Sequence, residues 1–356
     1  MTRVERIRKT MSEKGIDALL VLDELNQHYL SGFAFTDGAL LITIEKSYLI
    51  TDFRYYEMAE KGAFSDFEIV MPENRTEFIT KALKDCDVKT VGFEGDSVSY
   101  ATYLRYCETY NFVNFVNIGK AIETQREIKD EEEISMMQKA QDITDNAFSE
   151  IVKHITPEMT EIDVAAELEY FMRKSGASGL AFDTIAVSGD ASALPHGTPR
   201  NVKLKKGFLT MDFGAKYNGY CSDMTRTIVI GKADAEIKKL YDTVLRAQLA
   251  GLEAIKAGAD CILCDKAARD IIDSIPEYKG TFGHSLGHGV GLFIHESPRL
   301  ARLKESRLLR AGEIVTCEPG IYLYGKYGCR IEDMVCVREN GNYNFTHSTK
   351  DLIEII

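Results

Sequence analysis

The sequence predicts an α+β chain of two domains, on three observations. Its 356 residues, at roughly 150 residues per domain, suggest two domains, each long enough to bury a core of its own. Several long stretches carry apolar residues at spacings of three and four, the period of an amphipathic helix. Between those helices the strand-like runs come as hairpins rather than single strands, which argues against a doubly wound parallel sheet. The composition is that of an ordinary globular protein: 45% hydrophobic, 28% charged, 7 Pro and 27 Gly. Collagenous, low-complexity and disordered classes are thereby excluded.

The first ~120 residues mix strand-like runs with short helical ones. LLITI at 40–44 and SYLIT at 47–51, joined by Glu45-Lys46, read as a hairpin, and KTVGFEG at 89–95 as a buried strand ending in glycine. The texture then changes, and the domain boundary is placed near residue 125, giving domains 1–125 and 126–356. After it, Ile134, Met137, Ala140, Ile143, Ala147 and Ile151 line one helix face, with Asp130 and Glu133 as its capping pair. A second helix runs from Thr160 to about Lys174 and is closed by Gly176. A third runs from Asp234 to Lys256, with Ile237, Leu240, Tyr241, Val244, Leu245, Leu249 and Leu252 on its buried face. A fourth starts near Asp260 and carries Cys261 and Cys264. Segments 181–230 and 281–350 are rich in strands.

Charge and cysteine content narrow the function classes. Forty-three Lys and Arg against 55 Asp and Glu leave a net charge of −12, which speaks against a general nucleic-acid binder and suits cationic ligands such as free peptide amines. The apolar runs at 18–22 and 39–42 are far short of the ~20 residues that span a bilayer. With no apolar leader in MTRVERIRKTMSEKG, the expected location is cytoplasmic, and the eight cysteines are expected as reduced thiols. The single CxxC, Cys261 to Cys264, reads as two buried thiols on one helix.

The most informative stretch is GFLTMDFGAKYNGYCSDMTRTIVIG. Asn218-Gly219 is a strong two-residue hairpin signal, since both central positions of a type I′ turn need positive φ. With that loop, Asp212 faces Thr225 and Asp223 faces Gly214. The two aspartates are then diagonal neighbours on one face, ~7 Å apart. Two carboxylates that close among apolar residues repel and pay desolvation, and a bound divalent cation relieves both costs. Further polar residues sit in Gly-rich or strand contexts: His196 in LPHGTP, His284 and His288 in GHSLGHGVG, His295 in HESPRL, Glu318 in TCEPGIY and Glu332 in CRIEDMV.

MDFG, SDMTRT, GHGVG, HESP, EPGIY and RIEDM, in that order over 211–334, resemble the pita-bread metallopeptidases. Within them the chain is most similar to the Xaa-Pro branch, prolidase and aminopeptidase P. The resemblance covers essentially the whole chain and implies a C-terminal pita-bread (creatinase/aminopeptidase-like) catalytic domain with a smaller α/β N-terminal domain. It implies that Asp212, Asp223, His288, Glu318 and Glu332 hold two divalent metal ions, with Asp223 and Glu332 bridging. Only His288 occupies the GHGVG frame, so His284 is expected as a wall of the substrate site. Four carboxylates and a neutral imidazole total −4, which two divalent cations balance. Mostly oxygen ligands suit Mn²⁺, with Co²⁺ or Zn²⁺ as alternatives. Arg330, on the face of Glu332, is expected to orient a ligand carboxylate.

The implied activity is exopeptidase cleavage of Xaa-Pro bonds in dipeptides or short peptides by a water shared between the two metals. Glu318 would act as ligand and general base, His295 as donor to the developing oxyanion, and His196 as a contact to the scissile carbonyl or the residue beyond it. Arg299 would grip the carboxylate of a second-position proline. The expected partners are small peptide substrates and a second copy of the chain in a homodimer. The alternatives are a methionine or general aminopeptidase on the same fold, and a non-enzymatic peptide-binding scaffold. A serine hydrolase is also spelled by Gly283-His284-Ser285-Leu286-Gly287, followed by Asp333 and His347, but its flanks read as neither strand nor helix.

Overall fold

The computed structural model describes all 356 residues, which form two compact units, Met1–Arg126 and Glu127–Ile356. The first is built on a six-stranded mixed sheet in the order Glu68–Val70, Ser47–Ile50, Ala39–Thr43, Ala18–Val21, Thr90–Phe93, Asn114–Asn117. The hairpin joined by Glu45-Lys46 is its antiparallel centre, with Leu41 opposite Tyr48. Thr90–Phe93 pairs in parallel with Ala18–Val21 on one side and Asn114–Asn117 on the other. The three central strands are buried along their length, as expected of strands covered on both faces.

In the second unit the helix signals meet their elements. Helix Glu131–His154 has Asp130 as N-cap in a capping box with Glu133, and its predicted apolar face is buried. Helix Glu161–Lys174 is capped by Thr160, and Gly176 beyond it takes positive φ. These two helices pack on a four-stranded sheet made of Ile185–Ser188, Gly207–Phe213, Met224–Ile230 and Glu354–Ile355. Helices Ala235–Ala254 and Cys261–Asp273, capped by Asp234 and Asp260, close a second core against Gly287–Gly289, Ile314–Cys317 and Asp333–Arg338. Both strand-rich segments of the sequence thus supply sheets, each with a helix pair laid over it.

One predicted core position differs. Leu249 is exposed, and Gln248 is buried in its place, donating to Asp333 at 2.9 Å. A polar network has displaced the apolar stripe by one residue. All eight cysteines are unpaired, and burial pushes Cys261 up to about 11 and Cys264 up to about 12, so both stay protonated thiols.

Candidate metal centre

The Asn218-Gly219 turn sets the register of the site. Both residues take positive φ, and the flanking pairs run from Tyr217–Tyr220 to Thr225–Asp212. The two aspartates therefore sit two residues apart on facing strands, as the turn chemistry predicts. The remaining ligand candidates come from the second sheet: His288 from Gly287–Gly289, Glu318 just after Ile314–Cys317, and Glu332 just before Asp333–Arg338. All five line one cavity of about 800 Å³, together with His196, His284, His295, Arg299 and Arg330. Its outer wall, Phe182 to Ile185, carried no motif that sequence reasoning singled out.

Asp223, His288 and Glu332 form the tight centre, offering donor atoms that all lie within 4.8 Å of one another. His288 Nδ1 lies 3.1 Å from the Gly289 carbonyl. As the N–H donor there, it leaves the Nε2 lone pair aimed at Asp223 (3.6 Å) and Glu318 (3.5 Å). Burial, with lesser effects from His295 and Arg299, pulls His288 down to about 4, so the imidazole is neutral and fit to ligate. Asp212 and Glu318 stand around this triad. Asp212 Oδ2 accepts from Arg330 at 2.6 Å, while its Oδ1 is buried without a hydrogen-bond partner. Glu318 accepts from the Thr316 hydroxyl at 3.3 Å.

The electrostatics of this cluster are those of a cage with too much negative charge. Burial, reinforced by Asp212 and Glu318, raises Asp223 well above the usual carboxylate range. Glu332 is raised likewise by burial and by Asp223. Burial pushes Glu318 up to about 8 in spite of Arg330. An orphaned carboxylate oxygen, three carboxyls held out of their normal range and a neutral imidazole are together the donor set that a divalent cation completes.

Arg330 meets a ligand carboxylate, as expected of it, and that carboxylate is Asp212. Arg330 reaches Glu332 only through Thr225, whose hydroxyl accepts from Arg330 Nε at 2.9 Å and donates to Glu332 at 2.6 Å. Its Nη1 also donates to the hydroxyl of the half-buried Tyr322 (2.7 Å), which contacts His284 Nε2 at 2.9 Å. Burial pulls His284 down to about 3, so it stands as a neutral wall residue. Thr225 and Tyr322 lay inside the quoted motifs, and the register already put Thr225 opposite Asp212. Arg226 was missed outright: fully buried, it donates to the Glu332 carbonyl at 2.6 Å and to Asp333 at 2.8 Å.

The outer residues also line the cavity but make no tight cluster. His295 stacks edge-on against His288, ring centroids 4.5 Å apart, and its own ring is exposed, as are those of His196 and the Arg299 guanidinium. The residues flanking Ser285 are neither a strand entering nor a helix leaving, so the GxSxG match builds no nucleophile elbow.

A cage of this kind, between two helix-backed sheets, is a candidate site for divalent metal ions, the centre of a metalloprotein. Comparison with known proteins specifies which. The model of metallopeptidase family M24 matches residues 135–339, and that of the creatinase/prolidase N-terminal domain matches residues 3–128. The chain is 38% identical over 353 residues to an Xaa-Pro dipeptidase of Pyrococcus furiosus, covering 99% of each. It is similar to the structure of an Xaa-Pro dipeptidase from Bacillus anthracis, with TM-score 0.94, 42% identity and 99% of both chains covered. An X-Pro aminopeptidase structure from Thermotoga maritima aligns with TM-score 0.91 at 38% identity over 100% of both chains. The chain belongs to metallopeptidase family M24, with a creatinase/prolidase N-terminal domain and a pita-bread catalytic domain. It is a metallopeptidase that requires divalent metal ions. No helix is long and apolar enough to cross a membrane.

Proposed function

We propose that this metallopeptidase removes the first residue of short peptides at an Xaa-Pro bond, with dipeptides as its main substrates. Asp212, Asp223, His288, Glu318 and Glu332 would hold two divalent ions, Mn²⁺ by preference, with Asp223 and Glu332 shared between them. The convergence of Asp223, His288 and Glu332 donor atoms within 4.8 Å, beside the partnerless Asp212 Oδ1, carries this assignment. The specificity rests on relatives whose names are Xaa-Pro dipeptidase and prolidase over nearly their full lengths.

When bound, the metal ions supply Lewis acidity that activates water and polarises the scissile carbonyl. The chain's own residues do the rest. Glu318 takes a proton from the attacking water and returns it to the departing secondary-amine nitrogen of proline. His295, exposed to the cavity, donates to the developing oxyanion, a contribution of roughly a hundredfold or more. His196 contacts the substrate beyond the carbonyl, and His284 walls the site. Arg299 meets the free carboxylate of a C-terminal proline, which favours dipeptides. The copy number is proposed as two, with peptides as the only partners of the site.

The test is an activity panel on chelated enzyme restored with Mn²⁺, Co²⁺ or Zn²⁺, comparing a Xaa-Pro dipeptide, a Xaa-Pro-Xaa tripeptide and a Met-Ala peptide. The expected result is restored cleavage, fastest on the dipeptide with Mn²⁺. Full activity after exhaustive chelation would end the metal assignment. Preference for the tripeptide would make the enzyme an aminopeptidase of the Thermotoga type.

A further inference from the structure

The segment 289–296 joins the metal-facing strand to the strand carrying Arg299, and its shape depends on one buried ion pair. Gly287–Gly289 pairs with Glu296–Leu300 through a register shift between His288 and Gly289, which brings Glu296 opposite Gly289. The Glu296 side chain then folds back under the loop. Its Oε1 accepts from the Phe293 backbone at 3.0 Å. A Cβ on Gly291 would lie 2.5 Å from Oε2, so the missing side chain there makes room for the carboxylate.

The cation on the other side is Lys129, whose Nζ lies 3.2 Å from Glu296 Oε2. The two side chains are 1% and 9% exposed, so this is no solvated surface pair. Lys129 is itself fixed, with its backbone N–H donating to the Gly312 carbonyl at 2.9 Å. A buried carboxylate and a buried ammonium depend on each other: with one removed, the other must neutralise or move to water. Glu296 is the residue next to His295, and His295 is packed on His288.

We propose that Lys129, acting through Glu296, is a positioning residue for His295. It holds the bulged loop in the one shape that keeps that imidazole at the cavity beside His288. Lys129 is not among the residues that line the cavity. The role assigned to His295 rests on the function proposed above, whereas the placement of its ring can be read independently of turnover.

The experiment compares wild type with Lys129→Met, Lys129→Arg and Glu296→Gln. The last keeps an acceptor for Phe293 without the charge and serves if Lys129→Met does not fold. Imidazole ¹H–¹⁵N spectra of the metal-free proteins, with the His295 signal assigned through His295→Gln, report placement. Kinetics on a Xaa-Pro dipeptide with Mn²⁺ report the consequence. The expected result is a shifted or broadened His295 signal in Lys129→Met and Glu296→Gln, with the wild-type signal regained in Lys129→Arg. kcat should fall about tenfold to a hundredfold, in line with the cost of a small misplacement, with KM changed less than threefold. Adding His295→Gln to Lys129→Met should cost little more than His295→Gln alone, since both act at one point. An unchanged His295 signal, or losses that multiply in the double variant, would overturn the proposal. Wild type that cleaves no peptide would overturn the functional reading while leaving the spectra to decide this one.

Discussion

Asp223→Asn should change the sign of its effect on stability with the metal content of the solution. Asp223 lies diagonally across the hairpin from Asp212, about 7 Å away in strand geometry. At an effective dielectric of about 20, two charges at that distance repel by about 2 kcal/mol. Asp223 is buried and draws no hydrogen-bond donor to offset this, only the neutral His288 at 3.6 Å. In chelator, the isosteric amide removes the repulsion and most of the desolvation cost, so the variant should melt higher than wild type. For a unit of this size 2 kcal/mol corresponds to about 4–8 °C. With Mn²⁺ at a thousandfold excess over its Kd, wild type gains about 4 kcal/mol by mass action, or about 8–16 °C. The variant has lost a ligand and should gain a small part of that. Calorimetric melting at pH 8 in EDTA and in MnCl₂ is the assay, and the order of the two proteins should invert between them. If the variant melts below wild type by the same margin in both solutions, the carboxylates are not a strained cage awaiting a cation.

Three further perturbations probe the site and its frame. Glu318→Gln should lower kcat by about 10²–10⁴, measured on a Xaa-Pro dipeptide with saturating Mn²⁺; near-normal turnover would remove Glu318 as the base. Gly287→Ala should be severe, because the added Cβ would lie 2.0 Å from the Thr316 carbonyl oxygen. Thr316 also bonds the His288 N–H at 3.2 Å and Glu318 at 3.3 Å, so a loss of about 1–3 kcal/mol in urea unfolding should come with weaker Mn²⁺ binding by calorimetry. Glu161 supplies the pH dependence: burial raises its pKa, but hydrogen bonds from Arg200 and Ser188 outweigh this and hold it low. A depressed carboxylate contributes stability above its unfolded pKa of about 4.3 and loses it as pH falls through the folded value. Glu161→Gln should therefore cost about 1.5–3 kcal/mol at pH 7, shrinking toward pH 3 in urea titrations; a gap independent of pH would contradict the ion pair with Arg200 at 2.7 Å.

What was legible in the sequence was local chemistry. The capping boxes at Asp130 and Thr160 wrote their helices into three or four adjacent residues. Asn218-Gly219 fixed the register that puts Thr225 opposite Asp212, because a two-residue turn leaves the chain one way back. Leu249 failed for the opposite reason. Helical spacing sees only which residues share a face, and the centre of that face was shifted by Asp333, whose carboxylate takes in Gln248 together with Lys350 and Asn344. Spacing along one helix holds no information about an acid that arrives from a strand 85 residues later.

The metal cage lies between these extremes, and the reason is its assembly from two sheets. Asp212 and Asp223 share one hairpin, so their proximity follows from a turn. Glu332 joins them only because Thr225 donates to it across 107 residues and the Glu332 backbone N–H donates to the Thr225 carbonyl at 3.1 Å, contacts between strands that no periodicity pairs. The family motifs supplied Glu332 as a resemblance; geometry alone would have left it a buried acid in a strand. The same limit explains why Lys129 went unnoticed. Its partner Glu296 is 167 residues away, and nothing in the sequence pairs the two. A lysine becomes informative once burial is known, since a 1% exposed ammonium cannot persist without a counter-charge. Buried charges with distant partners are thus where function is least visible in a sequence and most readily argued from a structure.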